Sequence, residues 1–385
     1  MKKLSVLTAL VLFPLISFAN ESQILSDTKQ KIIKLKEKQI KEKQKDNKYD
    51  WISDANINAS IEKDEDDSTS KDYNISISQD IFKFGGITSQ IDYANQLKKM
   101  ESLDLDISTK EDLSTLFSYL VDVKINDISL EQNKLYLLNS QIDIRSKQSE
   151  YKAGELGISD LNEAIMTKNE LSDTQKELNL TKLVNINSIK EYTNKSYKEI
   201  EIPDVKLMSK DIYLENASSV NYVKLDIDVN NSLYKIKKSD YLPTLALTGQ
   251  YGYQDSSSIE GDDYYNYGLN ISMPLSYTAS NDIEQTKLDY LISQKELSQE
   301  LTSSKATYDE VVLSIKSYED RINLALNDIK LYSQLLEVNE EEYKAGYKTL
   351  DDVETIKNSK MIRELDIKSY KLNIQKQILK LYFKV

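Results

Sequence analysis

The phrase EYKAGELGISDLNEA at residues 150–164 returns as EYKAGYKTLDDVETI at residues 342–356, 192 residues later. Its first five letters are unchanged, and the sixth residue after the glycine is an aspartate both times, Asp160 and Asp352. A phrase repeated at such a distance predicts one structural plan used twice in the chain.

A heptad pattern of apolar and aromatic residues leads into each phrase. Before the second phrase it runs through Tyr343, Leu336, Ile329, Ile322, Ile315, Tyr308 and Leu301, and six of the seven positions 192 residues earlier keep this character. The pattern predicts two coiled-coil helices, over 87–150 and 281–343, each about 95 Å long. Neither stretch contains a proline or a glycine that would interrupt it.

Each phrase predicts the tip of a long antiparallel helical hairpin, placed at 151–158 and at 344–349. The glycine provides the left-handed backbone that ends a helix, and the helical pattern resumes after it. Ser159 or Asp351 is expected to cap the returning helix.

Four other segments alternate apolar and small polar residues with a period of two, which is typical of strands with one apolar face. They lie at 55–61, 73–81, 244–253 and 265–273. They predict one strand hairpin in each half of the chain, at 55–82 and at 244–275.

The segments that join these strands, 62–72 and 255–264, are acidic. We predict that they are solvated loops. The alternative is a calcium site built from their carboxylates, although the spacing matches no familiar calcium loop.

Composition excludes most kinds of chemistry. The chain has no cysteine and no histidine, so it lacks thiol nucleophiles, disulfides and the commonest general base and metal ligand. We therefore predict neither an enzyme nor a cofactor or metal site. The net charge of −13 makes nucleic acid an unfavourable partner.

The N-terminal residues 1–19 combine Lys2 and Lys3 with a short apolar run that ends in Ser-Phe-Ala. This order predicts a secretory signal peptide cleaved after Ala19. Its removal would take the net charge from −13 to −15, because it carries only the two lysines.

The strands are long enough to cross a bilayer when tilted, and tyrosines stand near the ends of their apolar faces. A sheet in lipid needs its edges paired, because unpaired backbone groups are costly there. Four strands cannot close alone, since the smallest known barrels have about eight. Two chains would provide eight strands and three would provide twelve. The soluble alternative is a sandwich of the two hairpins.

The segments DIFKFGGITSQIDYANQ (80–96) and YLPTLALTGQY (241–251), with both tip phrases, resemble the TolC family of outer membrane efflux channels. The resemblance covers nearly all of the chain after the signal peptide. It implies a mainly α fold with a small membrane β-barrel: duplicated coiled-coil hairpins, and four strands per chain that complete a trimeric twelve-stranded barrel above a helical tunnel. The first repeat would be 20–199, an equatorial linker 200–217, and the second repeat 218–385.

The resemblance also implies a function. Members of the family are homotrimeric channels in the outer membrane of Gram-negative bacteria, in contact with lipid and with a large periplasmic part. They passively export substrates of a tripartite efflux pump or a type I secretion system. Their partners are a periplasmic membrane-fusion adaptor and an inner membrane pump of the RND or ABC type, which open the periplasmic tip.

Carried onto this chain, the resemblance assigns roles to nine tip residues. Those of the periplasmic gate or pore would be Asp352, Tyr343, Lys348, Asp160 and Ser159, and those that dock an adaptor hairpin Ala153, Gly154, Ala345 and Gly346. Tyr343 matches a gating tyrosine, and three copies of Asp352 would form a ring that favours cations or binds a divalent ion. Lys348 replaces an arginine of some members, so it lacks the bidentate fork, and Thr355 replaces a second aspartate.

Simpler interpretations exist for the same residues. Tyr343 also fits core packing at its heptad position, and Lys348 fits an ordinary solvated charge. Asp160 and Asp352 also fit the first-turn acids that favour a helix dipole.

Two other functions compete with the channel. A periplasmic coiled-coil scaffold or adaptor would have no membrane insertion, but adaptors carry one helical hairpin and more glycine than this chain. A secreted hydrolase would need a pair of carboxylates in a pocket, and the carboxylates here lie in heptad polar positions or in the acidic segments.

Overall fold

The computed structural model describes residues 22–63, 65, 68–256 and 259–385. The predicted signal peptide, 1–19, lies outside the described residues. The described chain divides into two compact units. The first contains residues 22–33, Ser108–Glu215 and Lys305–Val385, and the second contains Lys34–Ile107 and Asn216–Ser304. Each unit takes residues from both halves of the sequence.

Two very long helices dominate the secondary structure, as the heptad pattern predicts. The α-helices of the described residues are α1 (Asp27–Tyr49), α2 (Gly86–Ala153), α3 (Ile158–Tyr192), α4 (Lys210–Asn216), α5 (Ser218–Ser239), α6 (Ala279–Lys344) and α7 (Leu350–Tyr382), preceded by a 3-10 turn at Ser22–Ile24. With 68 and 66 residues, α2 and α6 are each about 100 Å long. No helix in the described part of the chain is both long and apolar enough to cross a membrane.

The helix boundaries repeat at the spacing of the repeated phrase. The start of α3 and the start of α7 are separated by that same spacing, and the starts and ends of α2 and α6 agree with it to within one position. Because the paired helices have nearly equal lengths, this spacing relates equivalent positions along both hairpins.

In the second unit, the strands β1 (Ala55–Lys63), β2 (Thr69–Phe82), β3 (Thr244–Ser256) and β4 (Ile259–Ser272) form one antiparallel sheet in the order β1-β2-β3-β4. Its register aligns the apolar faces, because Ile57, Ile75, Tyr251 and Tyr265 lie opposite one another in one row. The neighbouring row, Asn56, Ser76, Gln250 and Asn266, is polar throughout. Since successive side chains point to opposite faces, the sheet has one apolar and one polar face.

The acidic segments 62–72 and 255–264 are not the loops that the sequence predicted. Most of their residues continue the strands, with β1 and β2 paired from Ala55 to Lys63 and β3 and β4 paired out to Ser256. Polar side chains in these extensions interact across the strands. The Lys71 ammonium lies 3.6 Å from the Asp255 carboxylate, and the Tyr264 hydroxyl donates to the Asp72 carboxylate at 2.9 Å. The backbone ladder therefore continues where the apolar alternation stops.

The first unit holds the main hydrophobic core. It is formed by α2, the end of α3, the segment that follows α3, and the end of α7, through Leu113, Leu116, Phe117, Leu120, Ile189, Ile200, Leu379 and Phe383. Phe117 stacks on Phe383 with ring centroids 5.6 Å apart. Residues 200–215 belong to this unit as well, and the Tyr308 hydroxyl of α6 donates to the Met208 carbonyl at 2.8 Å.

In the second unit, the part of α1 after Ile33 packs along α2 through polar contacts. Gln44 donates to Asn95 at 3.0 Å, Gln90 donates to the Asn47 carbonyl at 3.1 Å, and Lys43 forms an ion pair with Glu101.

Candidate functional site

Both hairpin tips end their outgoing helix in the same way. Gly154 and Gly346 have φ angles of +78° and +83°, in the left-handed region that glycine adopts at little cost. Gly154 N donates to the Tyr151 carbonyl at 3.1 Å and Glu155 N to the Glu150 carbonyl at 2.9 Å, and the second tip repeats both bonds at 3.0 and 2.8 Å. This pair of bonds is a Schellman motif, so the repeated phrase encodes a helix end.

The returning helices start differently at the two tips. Thr349 caps α7: its hydroxyl accepts from Asp352 N at 3.3 Å, and the Asp352 carboxylate accepts from Thr349 N at 2.9 Å. These reciprocal bonds form a capping box. At the first tip the cap position is Gly157, which has no side chain to offer.

The predicted caps, Ser159 and Asp351, are therefore wrong. Each is the second residue of its helix, because α3 begins at Ile158 and α7 at Leu350. A cap residue needs an extended backbone, and that conformation belongs to Gly157 (ψ 156°) and Thr349 (ψ 163°).

The capping box has an electrostatic consequence at Asp352. The Thr349 backbone N–H and then the Thr349 hydroxyl stabilise the carboxylate and hold the pKa of Asp352 below its ordinary value. The hydroxyl donates to this carboxylate at 2.8 Å. Asp352 thus lies in the first turn of α7, and its carboxyl group is charged at neutral pH because its pKa is lowered.

The structure also joins the two hairpins through a contact that sequence reasoning missed. Arg145, near the end of α2, donates from Nη2 to one Asp351 oxygen at 2.8 Å and from Nε to the other at 3.3 Å. A planar guanidinium makes such a bidentate pair and a lysine does not. The composition indicates that Arg145 has a specific role, because the 50 basic residues include only three arginines, Arg145, Arg321 and Arg363.

Further polar contacts continue this seam between α2 and α7 away from the tips. Asn358 donates to Asn139 at 2.8 Å, Gln132 donates to Asp366 at 2.7 Å, and Lys376 donates to Asp122 at 2.8 Å. Between these polar contacts, Leu135 of α2 packs against Ile362 and Leu365 of α7. We call this series, from Arg145–Asp351 to Asp122–Lys376, the α2–α7 seam.

The four residues expected to dock an adaptor, Ala153, Gly154, Ala345 and Gly346, are all exposed. Of the expected gate residues, Tyr343, Lys348, Ser159 and Asp160 are exposed, and Asp352 is half-buried. The exposure of Tyr343 does not match the core-packing interpretation of that residue within a single chain.

The structure brings only some of these residues together. Within the described residues, hydrogen bonds join Asp352 to Thr349 and Asp351 to Arg145, and none joins Asp160 to the second tip. In the part of the chain that the structure describes, no group of three or more carboxylates is placed to hold a metal ion.

Comparison with known proteins identifies this arrangement. A family model described as outer membrane efflux protein matches residues 211–382. These residues form an outer membrane efflux protein domain. The resemblance to the TolC family that the sequence indicates is thereby confirmed, with the family match covering residues 211–382. No curated protein sequence matches the chain.

Solved structures of outer membrane proteins and channels share the fold along nearly the whole chain. The outer membrane protein VceC from Vibrio cholerae superposes with a TM-score of 0.73 at 14% identity, over 92% of this chain and 93% of VceC. The CmeC outer membrane channel of Campylobacter jejuni gives a TM-score of 0.69 at 14% identity, over 93% and 84%. The open-state MtrE outer membrane channel of Neisseria gonorrhoeae gives 0.69 at 13% identity, over 95% and 88%.

The predicted fold class is thus confirmed for the single chain, as long duplicated helical hairpins with a four-stranded antiparallel sheet. At these identities the structural match concerns the fold. The tip residues therefore have to be interpreted from their own geometry.

Proposed function

We propose that the protein is a homotrimeric channel-tunnel of the outer membrane of a Gram-negative bacterium, which passively exports the substrates of a tripartite efflux pump or a type I secretion system. It would take no part in covalent chemistry. Energy would come from an inner membrane pump of the RND or ABC type, linked to the tips by a periplasmic adaptor.

The observation that carries this proposal is the sheet. Its apolar face is open, with Tyr267 83% exposed, and every described residue of β1 is exposed. β1 and β4 each have one neighbouring strand, so two edges are unpaired. Open edges and an exposed apolar face are unfavourable in water. Closure of the sheet by further copies in lipid satisfies both edges and covers the apolar face.

The tips support a gate at the periplasmic end. The Arg145–Asp351 pair holds the first hairpin to the second, and we propose that it contributes to the closed state. Tyr343, Lys348, Ser159 and Asp160 would line or flank the entrance. Three copies of Asp352 would place ionised carboxylates around it, in a position to bind a divalent cation.

The exposed small residues at the tips, Ala153, Gly154, Ala345 and Gly346, would let an adaptor hairpin approach the backbone closely. The tips share their helix ends and differ in how the next helix is capped. Two kinds of docking site per chain would follow from this difference.

The competing proposal is a periplasmic coiled-coil scaffold or adaptor without membrane insertion. The exposed apolar face of the sheet argues against it, because a soluble scaffold would leave that face in water. A scaffold would be found in the soluble periplasmic fraction, whereas a channel would be extracted from the outer membrane as an oligomer that dissociates only on heating.

The test is ion conduction by the detergent-extracted protein in a planar bilayer, for the wild type and for Asp352→Asn. Asparagine keeps an oxygen that accepts from Thr349 but removes the charge. We expect a small conductance that divalent cations block in the wild type and not in the variant. An equal block in both proteins would remove Asp352 as the ion site and leave the channel standing. No insertion and no conductance would overturn the channel proposal.

A further inference from the structure

A belt of hydrogen bonds crosses all four strands on the polar face of the sheet. Asn58 of β1 donates to Asn74 of β2 at 3.1 Å, and Asn74 donates to the Asp72 carboxylate. The Tyr264 hydroxyl of β4 donates to the same carboxylate at 2.9 Å, and Gln250 of β3 donates to the Tyr264 hydroxyl at 3.2 Å. The belt therefore holds one carboxylate and one aromatic ring in fixed positions on this face.

Gly252 of β3 makes room for the Tyr264 ring to cross the sheet. Asn74, Gly252 and Tyr264 lie opposite one another in one row, so the ring passes over Gly252 towards β2. A Cβ atom at Gly252 would come within 2.7 Å of the Tyr264 Cζ atom and within 2.8 Å of the Tyr73 carbonyl oxygen. Glycine in a strand often marks such a close approach. One side of the ring rests on the backbone of β3, and the other side faces away from the sheet.

Tyr264 differs from the other tyrosines of the described strands in the face that it occupies. Because successive side chains point to opposite faces, the register places the others on the apolar face: Tyr73, Tyr251, Tyr253, Tyr265 and Tyr267. Among the tyrosines of these strands, Tyr264 alone shares the polar face with Asn74 and Asp72. It is half-buried there, whereas its neighbour Tyr265 is 72% exposed. Contact with lipid therefore does not account for Tyr264.

The charges of the strands favour a cation near the Tyr264 ring. Asp72 and Asp262 stand in the row next to Tyr264, on the same face. The two lysines of the described strands, Lys63 and Lys71, lie on the opposite face, because each is the immediate neighbour of a polar-face residue. The ring is therefore beside two carboxylates that no lysine of these strands neutralises from the same face.

An aromatic ring beside a carboxylate is a combination that binds organic cations, because the face of the ring attracts the positive charge and the carboxylate balances it. We propose that Tyr264 and Asp72 form a binding site for organic cations of the quaternary ammonium class. The cation lies over the free side of the Tyr264 ring, near Asp72 and Asp262. The inference rests on the proposed function, in which the polar face lines the lumen, and it names a class of substrate that the barrel wall binds during export.

The belt orders this site before a cation arrives. Asp72 accepts hydrogen bonds from Asn74 and Tyr264 through different oxygens, and Gln250 holds the Tyr264 hydroxyl from the strand between them. Neither the ring nor the carboxylate has to be ordered on binding, which lowers the entropic cost of the complex. In a closed homotrimer, three such sites would lie at one level of the lumen.

The test is binding of tetraethylammonium to the full-length protein, extracted as an oligomer in a non-ionic detergent and followed by saturation-transfer NMR. We expect saturable binding to the wild type. Tyr264→Leu should raise the half-saturating concentration about two- to fivefold, which is the contribution of a cation–π contact at an exposed site. Tyr264→Phe keeps the ring and should bind nearly as well as the wild type. Asp72→Asn should weaken binding, as Tyr264→Leu does.

Two variants on the opposite face are matched controls. Tyr265→Leu removes the adjacent tyrosine, and Asp263→Asn removes the carboxylate next to Asp262, so both should leave the half-saturating concentration unchanged. A belt with only a structural role predicts a different pattern. Tyr264→Leu and Tyr264→Phe would then both lower the temperature at which the oligomer dissociates, and neither would change the binding of tetraethylammonium.

Equal binding by the wild type, Tyr264→Leu and Asp72→Asn would overturn the inference, and so would equal weakening by Tyr265→Leu. If Tyr264→Leu yields no oligomer, Asp72→Asn decides, because asparagine keeps an oxygen that accepts from Tyr264. Conductance of the same samples separates this test from that of the function. A conducting wild type without Tyr264-dependent binding keeps the channel and refutes the site, and binding without conductance keeps the site and refutes the channel.

Discussion

Asp352 shows how one residue combines a structural and a proposed functional role. Its carboxylate completes the capping box with Thr349, and this bonding keeps it ionised. The equivalent Asp160 has Gly157 at its cap position and no side chain to bond there. The duplication therefore provides an internal control for every change made at Asp352.

We expect Asp352→Ala to loosen the start of α7. The change leaves Thr349 N–H without its partner, and loss of a capping side chain costs about 1 kcal/mol. Amide hydrogen exchange in the first turn of α7 should become several-fold faster. Asp160→Ala should not change exchange at the start of α3, and equal effects at both tips would contradict the role of the capping box.

The same bond predicts a pH dependence. Because the pKa of Asp352 is lowered in the folded protein, its stabilisation is complete above the ordinary value of 3.8 and is lost as the pH falls below it. The ratio of exchange rates between Asp352→Asn and wild type at the α7 start should stay constant above that value. It should approach one in more acidic solution. A change in this ratio near neutral pH would contradict a lowered pKa of Asp352.

At the scale of elements, the sequence predicts the long helices and the strands well, because both depend on a regular apolar period. The apolar heptad repeat from Leu301 to Tyr343 fits a long α-helix and does not fit a β-strand, which would need alternation at every second residue. The ends of β1 to β4 were missed, because Glu62, Lys63 and residues 69–72 are held by backbone pairing rather than by an apolar face. Periodicity carries no information about such extensions.

Contacts between helices were predictable only in part. The Schellman tips follow from the glycine of each phrase, which is a local feature. Arg145 and Asp351 are 206 residues apart, and no local pattern pairs them. The low arginine content indicates that Arg145 has a specific partner, but the identity of that partner requires the packing of α2 on α7.

The Arg145–Asp351 pair predicts a gating effect. Arg145→Gln should raise the conductance of the resting channel, because it removes a link between the hairpins at the tip. An exposed pair contributes about 1 kcal/mol or less, so each broken pair should shift the balance between closed and open states by at most roughly fivefold.

Lys147→Gln is the matched control for this change. Lys147 lies two residues away and pairs with Asp143 of its own helix at 3.5 Å, so its loss should leave the resting conductance unchanged. Equal conductance in wild type and Arg145→Gln would remove the pair from the gate.

At the scale of the whole molecule, the two faces of the sheet should respond differently to charge. Leu269 and Asn270 are neighbours on β4 and point to opposite faces. Leu269→Arg would place a charge in lipid, at a cost of about 2–4 kcal/mol near the bilayer centre, and should reduce the yield of heat-resistant oligomer in the outer membrane. In the proposed barrel, Asn270→Arg would face the lumen and should be tolerated. Equal tolerance of both changes would argue against a lipid-facing sheet.

The central claim is that one chain supplies a third of a closed barrel and tunnel. The most direct measurement is the native mass of the protein extracted from outer membranes in mild detergent. Three copies per particle are predicted, because three four-stranded sheets and three pairs of helical hairpins close the barrel and the tunnel together. A particle of one chain, or a protein recovered without detergent from the soluble periplasmic fraction, would contradict the claim.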